Sequence, residues 1–119
     1  AQMAGMGWMG LNGIIITPEH GPRVRLAAVF TSIENLPMGG ENRHSWVADF
    51  CQQCRVCVKK CPPKALLGEA VDHGNGQFTY VESSRCFPYF NEYHGCSVCI
   101  AVCPFNHTSY QKIKESFLD

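Results

Sequence analysis

Short apolar stretches, separated by turns rich in glycine and proline, run along this 119-residue chain and predict short elements rather than long helices. The β-branched run Ile14–Thr17 predicts a strand. Val24–Ile33 predicts the longest strand, with Val24, Leu26 and Ala28 on one face. We expect these two strands to form a hairpin or part of a small sheet.

Two irregular segments flank these strands. Ala1–Gly13 is rich in glycine, and its methionines at steps of three predict core packing on one side of a turn or short helix. Glu34–Trp46 contains Pro37, Gly39 and Gly40 and predicts a loop that leads to the first cysteine. The methionines concerned are Met3, Met6 and Met9.

The second half of the chain alternates turns with short regular elements. Lys64–Leu67 predicts a helical turn, Asp72–Gly76 a tight turn and Gln77–Val81 a strand. The apolar positions of Thr108–Leu118 recur at helical spacing, which predicts an amphipathic helix. The side chains expected to face inward are Tyr110, Ile113, Phe117 and Leu118.

A helix is also predicted in Glu82–Gly95, with Ser83 or Ser84 as its N-cap. This stretch contains Cys86 and several aromatic residues, which we expect to pack beside that cysteine and exclude water from it. The aromatic residues are Phe87, Tyr89, Phe90 and Tyr93. The five histidines show no metal-ligand spacing, so each is predicted to be a surface or loop residue. They are His20, His44, His73, His94 and His107.

Eight cysteines carry the clearest chemical signal in the chain. Cys51–Pro62 reads CQQCRVCVKKCP, which is the C-x2-C-x2-C-x3-C-P run of bacterial ferredoxins with two 4Fe–4S clusters. Cys96–Pro104 reads CSVCIAVCP and repeats the latter part of that run. In two-cluster proteins the fourth cysteine of a run binds the other cluster.

The repeat assigns all eight thiols to two sets. Cys51 aligns with Tyr93, which cannot supply a thiolate, and Cys86 is the cysteine left to replace it. We therefore predict one cluster on Cys51, Cys54, Cys57 and Cys103. The other cluster is predicted on Cys61, Cys86, Cys96 and Cys99.

Two other uses of cysteine fit the spacing less well. Structural zinc sites favour two separated pairs of ligands, whereas here four cysteines form one run before a proline. Disulfides need an oxidising compartment and a specific geometry between the paired residues. Iron–sulfur clusters remain the preferred interpretation.

Length and charge limit the function further. At 119 residues one domain is expected, with a modest core that the clusters supplement, so the metal-free protein should fold poorly. Lysine plus arginine equal aspartate plus glutamate, and two oxidised clusters with their thiolates bring the charge to about −4. Nucleic-acid binding is therefore not expected. No apolar run reaches membrane-spanning length, and no signal peptide is recognised.

With these motifs in place, the chain resembles the C-terminal iron–sulfur region of corrinoid-dependent reductive dehalogenases, and more distantly epoxyqueuosine reductases. The resemblance rests on GWMGLNGIIITPEHGPRVRLAAVFT (Gly7–Thr31), on the first cysteine run, and on Cys86 followed by GCSVCIAVCPFN (Gly95–Asn106). It implies an α+β fold: a bacterial two-cluster ferredoxin-like core with short helices around two 4Fe–4S clusters, and a small N-terminal β extension. Residues 1–45 would form the N-terminal segment that faces the corrinoid, and residues 46–119 the two-cluster domain.

The resemblance also implies a function and further site residues. The clusters would pass electrons to a cobalamin-type corrinoid held by a partner domain or chain, or exchange electrons with a redox partner protein. Arg23 or Arg25 would lie near the substrate. The positions that resemble a corrinoid contact are Gly7, Gly10, Asn12 and Gly13.

Three functions are open at this point. The chain is the electron-relay part of a reductive dehalogenase, the same part of an epoxyqueuosine reductase-like enzyme, or a free-standing two-cluster ferredoxin. On its own we expect it only to transfer electrons. The family leaves the compartment open between the cytoplasm and export after folding by the twin-arginine route.

Overall fold

Two small antiparallel sheets and a series of short helices alternate in the computed structural model, which describes residues 1–36 and 40–119. The N-terminal elements are β1 and β2, and the remaining elements follow residue 45. Their bounds are β1 Trp8–Met9, β2 Ile15–Ile16, α1 Trp46–Cys54, α2 Val56–Lys60, β3 Leu66–Asp72, β4 Phe78–Val81, α3 Ser83–Glu92, α4 Val98–Ala101, a 3-10 turn Pro104–Asn106, and α5 Tyr110–Leu118.

The first sheet is a hairpin that confirms the strand predicted near Ile15. Trp8 pairs with Ile16, and Met9 pairs with Ile15. The N–H of Gly10 donates to the carbonyl of Ile14 at 2.9 Å, which closes the turn between the strands. Ile15 and Ile16 are buried, because their β-branched side chains pack under the hairpin.

Val24–Ile33 does not form the predicted strand. This stretch has no regular secondary structure, and Val29 and Phe30 are 89% and 98% exposed. Its sequence favours a strand, but β-propensity describes packing against a neighbour, and in the part of the chain that is described no strand pairs with it. The predicted hairpin between this stretch and Ile14–Thr17 is therefore wrong.

The other N-terminal predictions have mixed outcomes. Met3 and Met6 are 92% and 48% exposed, so the predicted core packing of these methionines is wrong. The predicted loop before the first cysteine is confirmed where it is described, because α1 begins at Trp46. Pro37 and Gly39, which marked that loop in the sequence, lie outside the described residues.

The main core is built from aromatic rings that α1, the 3-10 turn and α5 bring together. The Trp46 ring centroid lies 5.0 Å from that of Tyr110 and 5.9 Å from that of Phe105. Val47 is fully buried, and Ile16 joins the same core from β2. Apolar side chains at helical spacing on α1 and α5 thus meet on one buried face.

The C-terminal helix follows its predicted pattern with one exception. Tyr110 and Ile113 are buried and Phe117 is half-buried, but Leu118 is 57% exposed because the helix ends there. Ser109 caps the helix by accepting a hydrogen bond from the N–H of Lys112.

His44 lies in a loop, as predicted, but it is not on the surface. The side chain is buried, and its Nδ1 shares a 2.8 Å hydrogen bond with the Tyr110 hydroxyl. Burial lowers the pKa of His44, and the nearby charge of Arg43 adds to this effect. The histidine is thus a satisfied core residue that links the loop before α1 to α5.

Truncating Trp46 tests the importance of this core. Trp46→Ala is expected to lower the free energy of unfolding by about 3–5 kcal/mol, because a large buried ring is lost and a cavity is left. Denaturant titration of the cluster-loaded protein, followed by visible absorbance, measures this. Phe30→Ala is the matched control, since an exposed ring should change stability by less than about 0.5 kcal/mol. Equal losses in the two variants would contradict the assignment of the core.

The second sheet is a hairpin of β3 and β4. Leu66 pairs with Val81 and Asp72 with Phe78, with a register irregularity between Leu66 and Val71. The turn predicted at Asp72–Gly76 and the strand after it are confirmed. The predicted helical turn at Lys64–Leu67 is wrong, because β3 begins at Leu66.

Helix α3 confirms the helix predicted after this sheet but not its cap. Glu82 occupies the N-cap position, and no side chain accepts a hydrogen bond there. The serines proposed as caps lie inside the first turn, where Ser84 Oγ instead donates to a Glu82 carboxylate oxygen at 3.1 Å.

The α+β class predicted from the sequence is thus observed, with short helices and two small sheets. The boundary near residue 45 stays a prediction, and Ile16 from the first segment packs in the same core as Trp46 from the second. Among residues 1–36 and 40–119, no helix combines the length and the apolar character that crossing a membrane requires.

Candidate metal centres

The first group of cysteines surrounds a small cavity between α1, α2 and the segment after α4. Its four thiols come from Cys51, Cys54, Cys57 and Cys103, and the remaining lining residues are Arg55, Val56 and Pro104. Helix α1 presents Cys51 and Cys54, α2 presents Cys57, and Cys103 lies just before the 3-10 turn. Two distant runs of sequence therefore meet at one cavity.

The chain reverses between the two helices at Arg55. Its φ of 50° lies in the left-handed region, which a residue with a side chain adopts at a cost. This single residue ends α1 and begins α2, so cysteines on successive helices face the same space. The Arg55 guanidinium donates to Gln52 Oε1 at 3.0 Å, which holds the turn from outside.

The second group of cysteines lies where α2, α3 and α4 approach β3. Cys61, Cys86 and Cys99 pack in one apolar cluster with Ala65 and Leu66. Cys57, which the repeat assigns to the other set, packs against the same cluster, and both Cys57 and Cys96 lie near Cys99. The N–H of Ala65 donates to Cys61 Sγ at 3.3 Å, a contact that sequence reasoning did not predict.

Burial dominates the electrostatics of both groups. It raises the pKa of Cys51 to about 12, an effect partly offset by a backbone hydrogen bond from Leu11 and increased by the neighbouring thiols. Burial and neighbouring thiols likewise raise the pKa of Cys99 and of Cys103 to about 11. Without metal these cysteines are therefore protonated at neutral pH, and metal binding must displace their protons.

This donor chemistry fits iron–sulfur clusters. Each 4Fe–4S cluster takes four cysteine thiolates, and the chain offers eight partly or fully buried cysteines as soft sulfur ligands. Cys103 and Cys61, the last cysteine of each run, are the two buried ones. Cys103 lines the cavity with Cys51, Cys54 and Cys57. Cys61 packs with Cys86 and Cys99 but also with Cys57, so the division of the eight thiols between two clusters stays a prediction.

The positions that resemble a corrinoid contact lie in or beside the N-terminal hairpin. A Cβ at Gly7 would lie 2.2 Å from the Ile16 carbonyl oxygen, and one at Gly10 would lie 2.9 Å from Asn12 Oδ1. Asn12 is buried and accepts a hydrogen bond from the N–H of Ile14. Gly13 has a φ of +72° and lies against Tyr80. These residues already have roles inside the chain, and contact with a corrinoid stays a prediction.

Replacing Gly7 tests whether this glycine is needed for packing within the hairpin when no corrinoid is present. Gly7→Ala is expected to lower the free energy of unfolding by about 1–3 kcal/mol without any corrinoid present, because the new Cβ overlaps the backbone of β2. The loss is measured by denaturation of the cluster-loaded protein. Gly40→Ala is the control, since its Cβ would meet nothing within 4 Å. Unchanged stability in Gly7→Ala would mean that the hairpin does not need this glycine.

The two arginines that resemble a substrate-side cation are both exposed. Arg25 lines an open groove of about 800 Å³ together with Glu19, Arg43 and His44. Arg23 lines a neighbouring groove that includes Phe105 and Tyr110. The structure does not bring the two arginines to one site, and their role near a substrate stays a prediction.

The aromatic residues of α3 flank the second group but stay open to solvent. Phe87 and Phe90 line a shallow cavity with Cys86, yet they are 63% and 44% exposed. Tyr89 and Tyr93 stack with ring centroids 4.2 Å apart. The expectation that these rings exclude water is therefore not met in this structure.

Comparison with known families matches the centre of the chain. Residues 50–107, which hold all eight cysteines, match the model of the 4Fe-4S dicluster domain. This part of the chain is therefore similar to 4Fe-4S dicluster domains. Electron transfer through iron–sulfur clusters is the function of such a domain, as the cysteine pattern predicted.

Similarity to individual proteins extends beyond this dicluster domain. The chain is 37% identical over 112 residues to the tetrachloroethene reductive dehalogenase of Sulfurospirillum multivorans, covering 86% of this chain and 22% of that protein. The Desulfitobacterium hafniense enzyme of the same name is 37% identical over 120 residues, covering 89% and 21%. The epoxyqueuosine reductase of Listeria monocytogenes is 35% identical over 113 residues, covering 89% and 28%. The predicted resemblance to both groups is confirmed, and the chain spans roughly a fifth to a quarter of these relatives.

Proposed function

We propose that this dicluster domain relays electrons through two 4Fe–4S clusters with crossed ligation. Cys51, Cys54, Cys57 and Cys103 hold the first cluster, and Cys61, Cys86, Cys96 and Cys99 hold the second. The observation that carries the proposal is the cavity lined by three thiols of the first run and one thiol of the second. Bound there, the clusters supply one-electron transfer, and the chain supplies ligands, burial and hydrogen bonds that set their potentials.

The surroundings of the two groups suggest a direction for the relay. Cys51 and Cys103 pack against the same core as Ile16 and Trp8 of the N-terminal hairpin. The second group lies against α3, whose aromatic face is exposed. The first cluster therefore lies on the side of the N-terminal segment, and the second lies on the side open to an incoming donor.

We further propose that the relay serves a corrinoid cofactor held by a partner domain or chain. Support comes from the relatives, which are much longer than this chain and are named as reductive dehalogenases or epoxyqueuosine reductases. The apolar side chains that Val24–Ile33 leaves exposed are a surface that such a domain would cover, with residues 1–45 facing the cofactor. Arg23, Arg25 and the glycine-rich turn would then lie near the cofactor or its substrate.

A reductive dehalogenase is the function we favour, because the identity to the tetrachloroethene enzymes reaches 37%. The epoxyqueuosine reductase alternative is supported by 35% identity over a similar share of the chain. Reduction of a chlorinated alkene, compared with reduction of epoxyqueuosine in transfer RNA, distinguishes the two when the native protein is assayed with all its chains.

Metal analysis tests the relay and the corrinoid separately. About eight irons and eight sulfides per chain are expected in fully loaded protein. Cobalt and a corrinoid are expected in protein purified from its native host. Full iron without cobalt would leave a free-standing two-cluster ferredoxin as the function. Fewer irons, or zinc in a colourless protein, would contradict the relay itself.

A further inference from the structure

Helix α2 and the residues on either side of it carry a concentration of positively charged side chains. Residues 50–68 contain no aspartate or glutamate, but they contain four of the ten lysine and arginine residues of the chain. These residues are Arg55, Lys59, Lys60 and Lys64, and we call them the α2 cationic face. Since the formal net charge of the whole chain is zero, this face is a local concentration of positive charge.

The lysines of this face point to solvent rather than to internal partners. Lys59, Lys60 and Lys64 are exposed, and within residues 1–36 and 40–119 none of them forms a salt bridge. Lys64 Nζ donates to the Lys59 carbonyl at 3.0 Å, which ties the face to the end of α2. Lys59 and Lys60 suit the C-terminal end of a helix, but five residues make only a small dipole.

The α2 cationic face lies beside cysteines that are assigned to both clusters. Lys59 and Lys60 lie between Cys57, assigned to the first cluster, and Cys61, assigned to the second. Arg85 of α3 approaches the same place, where its Nη1 donates to the Lys64 carbonyl at 3.5 Å. A protein that docks here therefore comes close to the cysteines assigned to both clusters.

We propose that the α2 cationic face is the docking surface for an acidic electron-carrier protein that reduces the relay. This inference rests on the proposed electron relay and adds its partner. With two oxidised clusters these 119 residues carry a net charge of about −4, so outside this face they repel an acidic carrier. Screening limits that repulsion to about 8 Å at physiological ionic strength, and within this range the lysines select the docking face. One electron passes from the reduced carrier to an oxidised cluster, and no atom is transferred.

Charge reversal on this face provides the test. The double variant K59E/K60E is loaded with clusters and mixed with reduced plant-type ferredoxin, an acidic carrier with a 2Fe–2S centre, in a stopped-flow instrument. The second-order rate constant is expected to fall by about tenfold or more at low ionic strength. In the wild type this rate constant should decrease as salt is added, and in the double variant that dependence should vanish or reverse.

Two controls separate docking from other effects. Single variants Lys59→Glu and Lys60→Glu are compared with Lys112→Glu, an exposed lysine on α5, which should change the rate by less than about twofold. Reduction by a small uncharged photoreductant reports on the clusters alone and should be equal in all variants.

The outcomes are distinct. An unchanged rate in K59E/K60E, or an equal loss in Lys112→Glu, overturns the docking surface. A change with the photoreductant as large as that with ferredoxin also overturns it, because the lysines would then act on the clusters and not on the partner. If neither reductant reduces the wild-type protein, the relay itself fails, and the docking inference fails with it.

Discussion

Replacing Cys103 with serine is expected to abolish the first cluster, although this residue belongs to the second cysteine run. Cys103 is buried and lines the same cavity as Cys51, Cys54 and Cys57, so its loss leaves three thiols there. Serine cannot replace the soft thiolate that a 4Fe–4S cluster prefers. Iron should fall from about eight to about four atoms per chain. Iron analysis and electron paramagnetic resonance of the reduced protein measure the loss.

The reciprocal variant is the control for this prediction. Cys61→Ser lies in the first run, yet it should damage the second cluster, because Cys61 packs with Cys86 and Cys99. The two variants should retain different clusters with different spectra. If Cys103→Ser instead spared the first cluster and destroyed the second, each run would bind its own cluster and the crossed assignment would be wrong.

Removal of the clusters is expected to unfold most of the dicluster domain. Helices α2 and α4 have five and four residues and bury none of them, so they cannot persist as isolated helices. The second apolar cluster is formed by Cys61, Ala65 and Leu66, which is a small core without bound metal. The stabilisation lost should approach the whole stability of a small domain, about 5–15 kcal/mol.

Circular dichroism before and after anaerobic iron chelation measures this effect. The helical signal should drop, and the cooperative thermal transition should disappear. Reconstitution with iron and sulfide is the control, since recovery of both signals excludes chemical damage. A chelated protein that kept the same transition temperature would contradict this prediction, because the fold would then be stable without the clusters.

The sequence predicted the parts of the molecule that depend on spacing. Eight cysteines in two runs predicted similarity to a domain with two 4Fe–4S clusters, because cluster ligation requires a particular spacing and the run is repeated within the chain. The turn at Asp72–Gly76 and the buried positions Tyr110 and Ile113 were also predicted, since local turn chemistry and helical periodicity decide them.

Features that depend on neighbours could not be predicted in the same way. Val24–Ile33 has a strand-like composition, but a strand needs a partner, and no periodicity says whether one is present. His44 lies in a loop as predicted, but its burial could not be predicted because its partner Tyr110 is 66 residues away. Leu118 fits the inward stripe of α5, yet the helix ends before any neighbour covers it. The hydrogen bond from Ala65 to Cys61 involves a backbone group and leaves no side-chain signal.

The unpaired stretch Val24–Ile33 has a practical consequence for work with this part of the protein. It combines β-branched and aromatic residues with side chains as exposed as Val29 and Phe30. Such a segment is a template for edge-to-edge association between copies, as in amyloid-like aggregates. Samples should therefore aggregate more readily as concentration rises, and a lysine in place of Phe30 should keep them dispersed without disturbing either cysteine group.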